Sequence, residues 1–205
     1  MSRAWRAAAL PCASLYGFAI GSVHSTEFAL RNLVKMPLLL GVTAAVCALA
    51  YYLLARMLTR RLSFADVQRE AVAVFADTAV LLGSLALPML FLAHVIVRPD
   101  ARGLHEYELF LVANVVAIAF AGSLALVRRA AALRDATGLG GRASAMLLAG
   151  WMSVSLVVGA QWSWYLRPFC GVATVDAPFV LGTEPDFRGD RSFYEAFAHA
   201  LGRRL

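Results

Sequence analysis

Four stretches of this chain run for about twenty residues each without a charged side chain, and that feature leaves few ways to fold. They are 36–55 (MPLLLGVTAAVCALAYYLLA), 78–97, 109–127 and 145–166. An α-helix of about 20 apolar residues crosses the ~30 Å hydrocarbon core of a bilayer with every backbone bond satisfied internally. Arginine follows each stretch: Arg56, Arg98, the pair Arg128-Arg129, and Arg167 with Pro168. The composition agrees, with 60% hydrophobic and 16% charged residues against roughly 45–50% and 25% in soluble domains. The expectation is an all-α, polytopic transmembrane bundle of four spans in a chain of 205 residues. It divides into an N-terminal membrane-associated segment (1–35), the bundle (36–167) and a polar tail (168–205).

Local signals refine the boundaries. The second apolar run begins at Ala71 but contains Asp77. Starting the span at Thr78 places that carboxylate near the interface. Ser63 and Asp66 resemble a capping box, so the second helix begins in the headgroup region. Arg98-Pro99-Asp100 ends it, because proline cannot continue a helix and restricts the residue before it. Gly138, Gly140 and Gly141 predict a flexible break before the fourth span.

The N-terminus, MSRAWRAAALPCASLYGFAIGSV, has the outline of a signal peptide. Pro11 interrupts its apolar region and no small-x-small cleavage site follows. An uncleaved helix on or partly in the membrane is the reading, with a fifth span as the alternative. In the tail, Ser192 and Glu195 form a second capping box. Phe193, Phe197 and Leu201 share one face of an amphipathic helix over 192–204 that docks on the bundle, lies on the membrane or meets a partner.

The formal net charge is +6, and Lys35 is the single lysine. The arginines flank apolar runs, which suits anionic headgroups and insertion topology rather than nucleic acid. The loops 56–70 and 128–144 hold four Arg each, and the loop 98–108 holds two beside three carboxylates. The first and third loops therefore read as cytoplasmic, although Arg3, Arg6, Arg31 and Lys35 oppose this. Cys12, Cys47 and Cys170 form no CxxC and imply neither a disulfide framework nor zinc.

Polar groups inside lipid are costly, which makes them the candidate functional residues. Asp77 is either a proton or cation site or an interfacial carboxylate paired with Arg69 or a neighbour. Asn114 and Gln161 either line a path or hydrogen-bond across helices. Pro88 removes a hydrogen bond to the Ser84 carbonyl and predicts a kink. Gly17-x-x-x-Gly21, Ala119-x-x-x-Ser123 and Ser155-x-x-x-Gly159 suit close helix contact, within the chain or with a partner. Trp162, Trp164 and Tyr165, next to Arg167, read as an aromatic belt at the outer interface. The histidines are His24, His94, His105 and His199. Only His94 lies in a span, which argues against a haem held by this chain alone. HExxH and GxSxG are absent from the sequence, so neither a zinc protease nor a hydrolase elbow is indicated.

Leu15-Tyr16-Gly17, K-x-P-L-L-L from Lys35, and Q-x-x-W-x-L-R-P-F from Gln161, together with Ser192-Phe193-Tyr194, resemble a family of bacterial four-span membrane proteins. The likeness runs from about Leu15 to Leu205, and the segment before Leu15 is short. The resemblance implies a four-span fold. The family has no assigned activity, so no catalytic or cofactor residues carry over. The helix order is also loosely similar to the Yip-type domains of membrane trafficking.

The functional expectation is a non-enzymatic membrane subunit or scaffold, without cofactor or metal, in the bacterial inner membrane. It contacts the lipid bilayer and either other membrane proteins or itself, and not nucleic acid. The alternatives are a channel or transporter acting as a homo-oligomer through Asp77, Asn114 and Pro88, and an electron-transfer anchor sharing haem between chains through His94.

Overall fold

A computed structural model of the chain describes residues 3–96, 104–166, 179 and 191–202, with side chains from 7 to 95, from 109 to 166, at 179 and from 191 to 199. These residues form seven helices: α1 (Arg3–Gly21), α2 (Thr26–Leu58), α3 (Phe64–Ile96), α4 (Leu104–Arg128), α5 (Ala130–Thr137), α6 (Gly141–Tyr165) and α7 (Phe193–Gly202). There is no strand among the described residues. Four helices are long and apolar enough to cross a membrane: Thr26–Leu58, Phe64–Val95, Leu109–Arg128 and Gly141–Tyr165, with mean hydropathy between 1.7 and 2.4 over their apolar windows.

The helices overrun the apolar stretches. α2 begins ten residues before 36, where the Ser25 hydroxyl accepts the Phe28 amide at 3.2 Å. That cap satisfies one of the orphan donors at a helix start, and Glu27 in the first turn suits the dipole. α3 begins at the expected capping box. Ser63 Oγ accepts the Asp66 amide at 3.2 Å, and Asp66 Oδ2 accepts the Ser63 amide at 3.0 Å. Both helices are 33 residues long, or about 50 Å at 1.5 Å per residue. That length exceeds the ~30 Å hydrocarbon thickness, so each must tilt or extend beyond it. α3 continues unbroken through Pro88, whose ring is on the exposed side.

The expected N-terminal helix is present as α1 and belongs to the bundle. A short turn folds it back along α2, and it also packs along α3. Ala13, Tyr16, Ala19 and Ile20 join Met36, Leu39 and Leu40 of α2 and Ala79, Leu82 and Ala86 of α3 in one apolar core. The close approach depends on glycine. A methyl at Gly17 would overlap the Asn32 carbonyl, and one at Gly21 would sit 2.6 Å from the Phe28 carbonyl oxygen. The small pair 17/21 is therefore used inside the chain.

A second core lies towards the α2–α3 connection and joins Cys47, Tyr51 and Ala55 of α2 with Val67, Ala71 and Val74 of α3. It also takes in Leu126 of α4, Leu133 of α5, and Leu147 and Trp151 of α6. α6 runs antiparallel to α2: Gly159 faces Thr43, Trp151 faces Tyr51, and Gly150 faces Leu54.

The connection 128–144 carries a helix of its own, and the chain leaves helix at 138–140, where the glycines mark the expected break before the fourth span. Residues 130–137 form a helix, because the run AAALRDAT has high helix propensity and buries Leu133 and Thr137. Gly138 ends it at φ +64, a left-handed cap conformation that glycine adopts without steric cost. The expected amphipathic tail helix is α7. Its cap uses Ser192 Oγ, which accepts the Glu195 amide at 3.3 Å. It docks on α6, where the Tyr194 hydroxyl donates to the Val157 carbonyl at 2.9 Å. Arg167, the turn Arg98-Pro99-Asp100 and the tail 180–190 lie outside the described residues.

Candidate functional site

Among the described residues, three polar clusters tie helices together across the apolar interior. The first is an ion cluster where α4 meets α5. Arg129, the residue between the two helices, donates from Nε to Asp77 Oδ2 at 2.7 Å and from Nη1 to Glu70 Oε2 at 2.9 Å. Glu70 and Asp77 are two turns apart on α3, about 10 Å along its axis, so one guanidinium spans both. The side chains of Arg129, Asp77 and Glu70 are 17%, 16% and 33% exposed. Burial opposes the charge on Arg129, but the hydrogen bonds and charges of Asp77 and Glu70 outweigh it and hold its pKa above the ordinary arginine value.

Of the expected partners of Asp77, Arg69 is not the one used. Arg69 binds Asp66 on the next turn of its own helix, and both are near the surface. Arg69 and Asp77 are eight residues apart, about 12 Å of rise, too far for one ion pair. Asp77 instead joins α3 to the α4–α5 joint.

The second place is a polar layer at the opposite end of α2. The Tyr16 hydroxyl donates to Asn114 Oδ1 at 3.0 Å, and Asn114 Nδ2 donates to the Phe110 carbonyl at 2.9 Å. Asn114 thus hydrogen-bonds α4 to α1, which is the packing role among its two expected roles. Ser14 Oγ donates to the Leu33 carbonyl at 2.9 Å beside it. Asn32 is fully buried, and Lys35 is 1% exposed, with the Phe179 ring centroid 4.8 Å from its ammonium. A cation over an aromatic face is a favourable desolvated arrangement.

The third place is the α2–α6 seam. Tyr51 stacks on Trp151 with centroids 4.3 Å apart and planes 6° from parallel. Trp151 Nε1 donates to the Tyr51 carbonyl at 3.2 Å. The Tyr51 hydroxyl hydrogen-bonds the Ser155 hydroxyl, which donates to the Trp151 carbonyl at 2.8 Å. Ser155 and Gly159 therefore both face α2, and the pair 155/159 is also spent within the chain.

The remaining candidates are dispersed. Gln161 is half-buried. Trp162 packs against the first core and meets Tyr165 edge-on at 5.7 Å. Trp164 is 6% exposed, so the belt is corrected there: this ring turns into the bundle rather than lying at its surface. His94 is on the outside, its Nδ1 2.9 Å from the Leu90 carbonyl. No group of three His, Cys, Asp or Glu among the described residues could hold a metal ion.

Sequence reasoning missed Tyr16, Asn32, Lys35 and Arg129 as interior groups. Ser25 was the available signal for Asn32 and Lys35. A cap there carries α2 back through Asn32 and Lys35 and turns two flanking residues into helical ones. For Arg129 the signal was weaker, since Arg128 and Arg129 both read as the end of a span.

The architecture is that of a multi-pass integral membrane protein whose interior polar groups hold helices to one another. No protein-family model matches the chain, and no curated protein or solved structure is significantly similar to it.

Proposed function

We propose that the protein is a non-enzymatic membrane subunit or scaffold that associates with other membrane proteins. The observation that carries this reading is where the polar groups are used. Asp77 and Asn114, two of the three polar candidates, are each engaged by a side chain from elsewhere in the bundle: Asp77 by Arg129 and Asn114 by Tyr16. What faces outward is apolar: Val116, Phe120 and Val127 on α4, and Met146, Leu156 and Val157 on α6. In a bilayer such faces meet lipid or another helix, and helix association there proceeds by packing. The bacterial inner membrane is proposed on the resemblance alone.

The test is purification of the tagged protein from native membranes in a mild detergent, followed by mass spectrometry of what co-elutes. Stoichiometric membrane proteins are expected. Recovery of this chain alone at monomer mass refutes the reading. A homo-oligomer that gives ion flux in proteoliposomes, abolished by Asp77→Asn, transfers the assignment to a channel.

A further inference from the structure

The contacts of α1 fix its depth in the bundle as well as its neighbours. It runs antiparallel to α2, with Gly17 against Asn32 and Gly21 against Phe28. α2 turns back into α3, so α1 and α3 are parallel. Their register is set at Cys12 and Gly83, where a Cβ added to the glycine would sit 2.5 Å from the Cys12 Cβ. Arg3, the first residue of α1, is nine residues before Cys12. Parallel helices rise equally, so Arg3 stands level with about residue 74 of α3. Arg129, at the end of α4, binds Glu70 and Asp77, and the midpoint of those two is the same level. α1 therefore starts at the depth where α4 ends.

The bond between Tyr16 and Asn114 gives the same result without α3. Thirteen residues separate Tyr16 from Arg3 and fifteen separate Asn114 from Arg129, about 20 and 22 Å of rise. In the other direction, Gly21 and Leu109 are each five residues away, and Leu109 is where the apolar span of α4 begins. A helix that covers the depth of a spanning helix crosses with it. α1 has 19 residues, within the ~17–25 that a span uses. Its charge-free part, Ala7–Gly21, is shorter, but Arg3 and Arg6 fall at the helix end, where arginine snorkels to the headgroups.

The outward face of α1 is a separate indication. A helix lying in the membrane surface keeps a charged or polar face to water. Between residues 7 and 21 the exposed residues of α1 are Ala7, Leu10, Pro11 and Leu15, and none carries a polar side chain.

We infer that α1 is a fifth membrane span, which enters from the side of α5 and the α2–α3 connection. That side holds Arg56, Arg60, Arg61, Arg134 and Arg142. Arg3 and Arg6 join them, in keeping with the bias of arginine towards the cytoplasmic side. Arg31 and Lys35, nearer the opposite side, are taken up by the fold: Arg31 pairs with Glu27, and Lys35 is 1% exposed.

Single cysteines test this topology in a chain carrying Cys12→Ala, Cys47→Ala and Cys170→Ala. Ser2→Cys reports the start of α1, Thr26→Cys the α1–α2 turn, and Asp135→Cys the surface of α5. Thr26 and Asp135 are exposed, and Ser2 precedes α1, so its substitution leaves the packing of the helix unchanged. A membrane-impermeant maleimide is applied to sealed membrane vesicles from expressing cells, before and after permeabilisation. Thr26→Cys and Asp135→Cys are expected to label from opposite sides, because three spans separate them, and Ser2→Cys is expected to label from the side of Asp135→Cys. Labelling of Ser2→Cys from the side of Thr26→Cys overturns the inference and leaves α1 on that surface. Protection of Ser2→Cys from both sides overturns it too, because α1 would then start within the lipid. Labelling of Thr26→Cys and Asp135→Cys from one side removes α4 as the measure of depth and overturns it as well.

Discussion

Replacing Arg129 by methionine tests whether the ion cluster holds α3 to the α4–α5 joint. Methionine keeps much of the apolar stem and removes the charge. Two carboxylates, 16% and 33% exposed, then lose their shared cation. Breaking a fully buried pair costs about 3–5 kcal/mol, and an exposed pair is worth less than about 1 kcal/mol. With both partners partly open, the loss here is about 2 kcal/mol, or roughly thirtyfold in the unfolding equilibrium. Unfolding by increasing SDS mole fraction in mixed micelles, followed by far-UV circular dichroism, measures it. The pairing makes a stronger claim: with Asp77→Asn and Glu70→Gln already present, Arg129→Met should cost much less than it does alone. A coupling energy of about 1–2 kcal/mol is expected from that cycle. A single-mutant loss under about 0.5 kcal/mol, or strict additivity, refutes the reasoning.

Other outcomes follow from the same contacts. Gly17→Val drives a side chain into the Asn32 carbonyl and should cost about 2–3 kcal/mol, whereas Gly122→Ala, whose added carbon meets nothing, should be neutral or gain up to ~1 kcal/mol. Equal effects in the same unfolding assay would remove the α1–α2 contact from the account. Tyr16→Phe withdraws the donor from Asn114 and should lose about 1–2 kcal/mol, and no loss on unfolding would mean that this bond does not tie α1 to α4. Trp151→Leu removes both the stack on Tyr51 and the bond to its carbonyl, for a loss of about 3 kcal/mol; an unchanged SDS midpoint would count against the seam. Cys47 is fully buried, so a membrane-permeant maleimide should leave its peptide unmodified until denaturant is added. Labelling of the folded protein at the denatured rate would contradict the second core.

The helical class and the four long apolar helices were legible because charge-free runs of that length have few other solutions. The caps at Ser63 and Ser192 were legible because a side chain and a backbone three residues on suffice to make them. What escaped the sequence was non-local. Lys35 reads as a flanking cation until the Ser25 cap extends α2 beyond it. Asp77 reads as a proton or cation site or as an interfacial carboxylate paired with Arg69 or a neighbour. The actual partner, Arg129, is 52 residues away, and only the antiparallel packing of α3 and α4 brings it near. The small pairs at 17/21 and 155/159 were visible, but whether they face this chain or another depends on how the helices rotate, which periodicity leaves open. Trp164 shows the same limit, since aromatic residues at 162, 164 and 165 point in different directions around a helix and one of them turns inward.

The bond between Tyr16 and Asn114 joins residues 98 positions apart, which bears on how the protein is made. At about 5–20 residues per second, roughly 5–20 s pass between the synthesis of the two. The α1–α2 hairpin can close early in that interval, and α3, against which α1 also packs, follows. The tyrosine hydroxyl must still wait for α4, so α1 reaches its final seat in stages that follow the order of synthesis.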